Sequence, residues 1–98
     1  MPKLFEYQGI IIRFYSDEHE PIHIHAIYNA NIIKVSFFLR EGKIYRVSYT
    51  VISGKYPAAK LSELKEFIAV YKDDIVKAWD SYFIWKNKVN FVRITKKL

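Results

Sequence analysis

The residues equipped for chemistry are crowded into one stretch. Asp17-Glu18-His19-Glu20-Pro21-Ile22-His23-Ile24-His25 holds all three histidines of the chain and Asp17, Glu18 and Glu20 from its ten acids. His23 and His25 alternate with Ile22 and Ile24, the period of two expected of a strand. With the isoleucines turned to a core, both imidazoles share the opposite face, their Cα atoms about 6.6 Å apart, two strand steps. Two imidazoles at that spacing can share one divalent cation such as zinc. The preceding loop could complete the shell, so Asp17, His19, His23 and His25 are the candidate metal ligands. Pro21 stiffens that loop at the strand's first residue, where a missing N–H is tolerated.

A different chemistry follows if the strand before the loop is brought alongside. Gly9 to Ser16 sets Ile10, Ile12 and Phe14 against Ile11, Arg13 and Tyr15. Antiparallel pairing through the short Ser16–Glu20 loop puts Arg13 and Tyr15 on the histidine face, and Lys34 and Ser36 reach it from the next strand. An acid, a base and a cation near a phosphate are what a metal-independent ribonuclease needs, and those side-chain types are present. Arg13, Tyr15, His23 and His25 are therefore the candidate catalytic residues. Polar side chains on an ordinary solvated sheet face give the same alternation, so the spacing locates a site without choosing its chemistry.

The elements that would hold this group read as a meander followed by helix. Pro21–Tyr28 is the histidine strand, and Asn29-Ala30-Asn31 is turn chemistry, since Asn tolerates left-handed φ. The following strand sets Ile33, Val35, Phe37 and Leu39 against Lys34, Ser36 and Phe38. Glu41-Gly42 makes a second hairpin turn, and Lys43 to Val51 returns with Tyr45, Val47, Tyr49 and Val51 on one side. Beyond Ser53-Gly54-Lys55-Tyr56-Pro57 the period changes to about 3.6. Leu61, Leu64, Ile68, Tyr71, Ile75, Trp79 and Phe83 form one apolar helical stripe. Pro57 suits a first turn and Ser62 is a candidate cap. Lys72-Asp73-Asp74 leaves open one kinked helix or two. Asn90 to Thr95 reads as a fifth strand. The expected fold is α+β: an antiparallel sheet of four or five strands with the helical region 58–86 packed on one face.

Composition bounds the rest. The 98 residues make a single domain, and with 51% hydrophobic residues they have material for one core. The lack of cysteine excludes a disulfide framework, a thiolate nucleophile and a Cys-based zinc site. It fits a reducing compartment. Residues 1 to 8 have no signal-like apolar core, and no run approaches the roughly 20 apolar residues that span a bilayer. A cytoplasmic chain without membrane contact is expected. The net charge is +6, and after Asp80 come only Lys86, Lys88, Arg93, Lys96 and Lys97. Such a tail suits nucleic acid or an acidic partner, and equally a solvated terminus. Phe38 and Ile27 fall on the nominally outward side of their strands, which suggests that a second copy or another protein covers part of that face.

Gly9-Ile10-Ile11-Ile12-Arg13-Phe14-Tyr15, followed by Asp17-Glu18-His19-Glu20-Pro21-Ile22-His23-Ile24-His25-Ala26, resembles a prokaryotic family named domain of unknown function four-one-six-zero. Its pattern is similar to an Ile-rich strand followed by Asp-Asp-His-x-Pro-Pro-His-Phe-His. Gly54-x-x-Pro57, the Leu-rich helix and Asp74-Ile75-x-x-x-Trp79 resemble its second half. Ile22 and Ile24 stand where the family has Pro and Phe, and the hairpin Ser36 to Val51 is longer than the family's. Members are often encoded beside a second small protein, as in a toxin–antitoxin pair. The resemblance therefore implies a toxin-like component that acts on RNA or translation and is held by a cognate antitoxin-like protein.

Overall fold

A computed structural model describes residues 3–14 and 22–98. The described elements are β1 (Lys3–Tyr7), β2 (Ile10–Phe14), β3 (Ile22–Tyr28), β4 (Asn31–Arg40), β5 (Lys43–Ser53), α1 (Ala58–Phe83) and β6 (Val92–Ile94). The fold is α+β, with the strands in one sheet of order β5-β4-β3-β2-β1-β6. Successive pairs from β1 to β5 are antiparallel, whereas β6 pairs parallel to β1 through Phe5↔Val92, Glu6↔Arg93 and Tyr7↔Ile94. The sheet is thus mixed and six-stranded where four or five antiparallel strands were expected. The extra strand is β1, five residues whose buried Leu4 and Tyr7 tie them to the core.

Local chemistry sets the meander. Gln8-Gly9 and Glu41-Gly42 hold φ of 49° and 79°, and 51° and 77°. Two consecutive positive φ values match the right-handed twist of the strands they join. Asn29 supplies the left-handed residue of the β3–β4 turn at φ 54°.

One face of the sheet is apolar and carries the helix. Tyr7, Ile10, Ile12, Phe14, Ile22, Ile24, Ala26, Ile33, Val35 and Phe37 are buried there with Leu64, Phe67, Ile68, Ile75, Trp79 and Phe83 of α1. Aromatic rings lock the layers, with Phe5 and Phe67 at 5.3 Å and Phe14 and Phe83 at 5.3 Å between centroids. Phe67 is a core residue that the stripe left out. The helix is continuous over 26 residues, so Lys72-Asp73-Asp74 does not break it. Aspartate inside a helix costs a few tenths of a kcal/mol, far less than the burial of Ile68 and Ile75 on either side contributes. Pro57 occupies the N-cap without a side-chain cap, and its carbonyl accepts from Leu61 N at 2.9 Å. Ser62 lies inside the helix rather than at its end. Among the described residues no helix is long and apolar enough to cross a membrane.

Candidate nucleic-acid interface

The face opposite the helix is a grid fixed by register. Cross-strand partners lie about 5 Å apart at Cβ and point to the same side. Lys3↔Arg13, Arg13↔His25, His25↔Lys34 and Lys34↔Thr50 make one row that crosses five strands. His23↔Ser36 and Ser36↔Ser48 make the next row, and Phe38↔Arg46 the one beyond. On the other side of the cationic row, Ile11↔Ile27 and Ile27↔Ile32 form an apolar row. Ile27 therefore has isoleucine neighbours on both flanks.

Arg13, His23 and His25 are thus brought together as the alternation requires, and Lys34 and Ser36 join them. Tyr15, Asp17 and His19 lie outside the described residues. So do Glu18, Glu20 and Pro21. Among the described residues no group of three or more His, Cys, Asp or Glu side chains could hold a metal ion. His23 is only 8% exposed although it lies on the side away from the helix, and Ser36 beside it is buried as well. Burial holds the His25 imidazole below its usual range, and His23, Lys34 and Arg13, in that order, push the same way. Three neighbours that each disfavour a further positive charge describe a patch that favours an anion. The acid found on this face nearer the sheet edge, Glu6, is 3.3 Å from Arg93.

Strand alternation does not account for every side chain on this face. The alternation of β5 places Tyr45 with Val47 and Tyr49 toward the helix. The pairing instead skips from Phe38↔Arg46 to Leu39↔Ile44, which leaves Tyr45 as the extra residue of a bulge. Ile44 takes the inward position and packs against the core. Tyr45 meets Phe38 at 6.4 Å between ring centroids, Arg40 lies 4.4 Å over the Tyr45 ring, and Arg46 lies 5.2 Å over Phe38. The outward Phe38 flanked by arginines was the sequence signal for this cluster. Of the two tryptophans, Trp79 is core and Trp85, just past the end of α1, is 69% exposed, its indole N–H donating to Asp80 Oδ2 at 3.2 Å.

A separate groove of about 460 Å³ opens on the helix side, between Ile22 and Leu39 of the sheet and Val76, Trp79 and Ile84. Among the described residues it is lined by one lysine and one aspartate, Lys77 and Asp80, and by no histidine or arginine.

A family model described as Domain of unknown function (DUF4160) matches residues 9–80, from the turn before β2 to the last turn of α1. β1 and β6 lie outside that match. No curated protein and no solved structure matches the chain.

Proposed function

The chain belongs to the DUF4160 family, and we propose that it is a small toxin-like protein whose outer sheet face binds RNA through the phosphate backbone. One observation carries this reading: Arg13, His25 and Lys34 are successive cross-strand partners, so a guanidinium and an ammonium flank an imidazole in a line across β2, β3 and β4. A guanidinium and an ammonium at fixed spacing suit successive phosphates. Imidazoles beside fixed cations are also among the groups a metal-independent ribonuclease uses. A cognate antitoxin-like protein, which the family resemblance implies, would neutralise the chain by covering the same face.

The test reads binding, cleavage and growth together. Wild-type protein is titrated against a labelled single-stranded RNA at low salt, and its induced expression is followed in cells. Lys34→Ala and Arg13→Ala are expected to weaken binding roughly tenfold, for a hydrogen bond to a charged group worth about 1.5 kcal/mol. Both are expected to relieve growth arrest while the protein stays folded. Normal growth with abundant soluble wild-type protein that binds no RNA would defeat the reading.

The same-face spacing of His23 and His25 favours a second reading, in which they and the segment's Asp17 and His19 hold a divalent cation such as zinc. This would make the chain a non-enzymatic metal-binding or interaction module. Elemental analysis of untagged protein decides. Substoichiometric metal, together with no thermal shift on adding zinc, removes it.

A further inference from the structure

We infer that the bulged end of the β4–β5 hairpin is a base-stacking platform, with Tyr45 as the stacking ring, so that the ligand of the outer face is single-stranded RNA. This rests on the RNA reading of the cationic row and adds to it the form of the ligand. The first support is the bulge. An undisturbed β5 would turn Tyr45 to the helix side with the half-buried Val47 and Tyr49, and the skip in register turns it outward instead. Bulges commonly re-aim a side chain in this way. The consequence is a large ring left 54% exposed on a sheet face, beside Phe38.

The second support is charge. Arg40 and Arg46 each lie over one ring of the pair, at 4.4 Å and 5.2 Å. Among the described residues neither guanidinium has an ion-pair partner, and the hairpin's acid, Glu41, sits in the turn. Aromatic faces interleaved with arginine are what sequence-tolerant single-strand binding uses, because every base has a π-face and every linkage an anion.

The third support is placement. Lys34 and Phe38 lie on the same side of β4, four residues apart, or about 13 Å along the strand. Between them lies the His23–Ser36–Ser48 row. A single strand of RNA with phosphates on the Arg13–His25–Lys34 row, which runs across the strands, would turn at Lys34 to follow β4 and bring a base onto Tyr45, passing the buried His23 and Ser36 without contacting them. A duplex keeps its bases stacked inside and cannot make the second contact.

The experiment compares three probes of equal length at one salt concentration: labelled oligouridine, the same backbone without bases, and double-stranded RNA. Wild-type protein is expected to bind oligouridine more tightly than the other two. Tyr45→Ala is expected to lose roughly five- to hundredfold in affinity for oligouridine and little for the abasic backbone, the range for one stacked base. Tyr45→Phe is expected to retain the wild-type preference, since stacking needs the ring and not the phenol. Tyr45→Thr, which keeps strand propensity, provides a second truncation that preserves the hairpin. Lys34→Ala is expected to weaken all three probes alike. Equal binding of oligouridine and abasic backbone by the wild type, or unchanged affinity in both Tyr45 truncations while Lys34→Ala is weakened, would overturn the platform and leave the cationic row standing. No binding of any probe by the wild type would overturn both.

Discussion

At the residue scale, the surroundings of His25 have a consequence that a titration can read. Its imidazole is held below the usual value by burial first, then by His23, Lys34 and Arg13. In the unfolded chain it takes up its proton near pH 6.5, whereas in the folded chain it does so only at lower pH. Below pH 6.5 the unfolded state therefore binds more protons, and stability falls as the pH drops. The contribution is intact above about pH 6.5 and is lost as the pH falls through the folded value. His25→Gln is expected to flatten the loss of stability between pH 7 and 5, as followed by denaturant midpoints. In a proton NMR titration the His25 midpoint is expected below 6.5, and Lys34→Ala is expected to move it up. An unchanged midpoint in that variant would separate Lys34 from the cluster. Strand alternation was enough to put Arg13, His23 and His25 on one face, because register acts in steps of two and nothing interrupts β2 or β3 there. Tyr45 was not legible by the same rule. One extra residue in β5 reverses the side, and a bulge of this kind leaves no trace in hydrophobic periodicity.

At the scale of elements, the join between β5 and α1 depends on one glycine. Gly54 has φ +73°, and a Cβ there would run into the Asn31 side-chain oxygen. That oxygen accepts the Lys55 backbone N–H at 3.0 Å, which ties the end of β5 to the start of β4. Gly54→Ala would cost about 1–2 kcal/mol for a left-handed alanine, and about 1 kcal/mol more for the displaced hydrogen bond. For a domain of this size the expected loss is roughly 10 °C in Tm or more, with RNA affinity unchanged at temperatures where the protein is folded. A Tm within 2 °C or so of wild type would show that the join tolerates a side chain. The strong periods of β2 to β5 and α1 were legible for the reason that each buries one face against the other. The β1–β6 pairing was not. β6 is three residues with little burial, and its parallel partner lies at the opposite end of the chain. Pairing of that kind is decided by tertiary context rather than by local pattern. The helix was legible as a stripe but its continuity was not, since charged residues at 72–74 look like a boundary until the core on both sides is seen to hold one axis.

At the scale of the whole molecule, the sheet carries its positive charge across most of its width. Arg46 stands on β5, Lys34 on β4, Arg13 on β2 and Arg93 on β6, with strands spaced about 4.8 Å apart. Arg93 is held to Glu6 at 3.3 Å, an exposed pair that salt weakens. The tail after β6 adds Lys96 and Lys97, both exposed, to a chain of net charge +6. These tail lysines are not placed in the grid, so their expected role is to raise the local potential rather than to read the ligand. Replacing both, as Lys96→Glu with Lys97→Glu, should slow association with oligouridine at low salt. The difference from wild type should shrink as ionic strength rises and the Debye length falls to about 8 Å at 0.15 M. The preference for oligouridine over its abasic backbone should not change, because stacking on Tyr45 does not depend on the tail. Stopped-flow association across a salt series, run beside equilibrium titrations with both probes, separates these effects. A double variant whose deficit persists undiminished at high salt would place the tail lysines in direct contact with RNA, so that the interface extends past β6 rather than ending at the sheet.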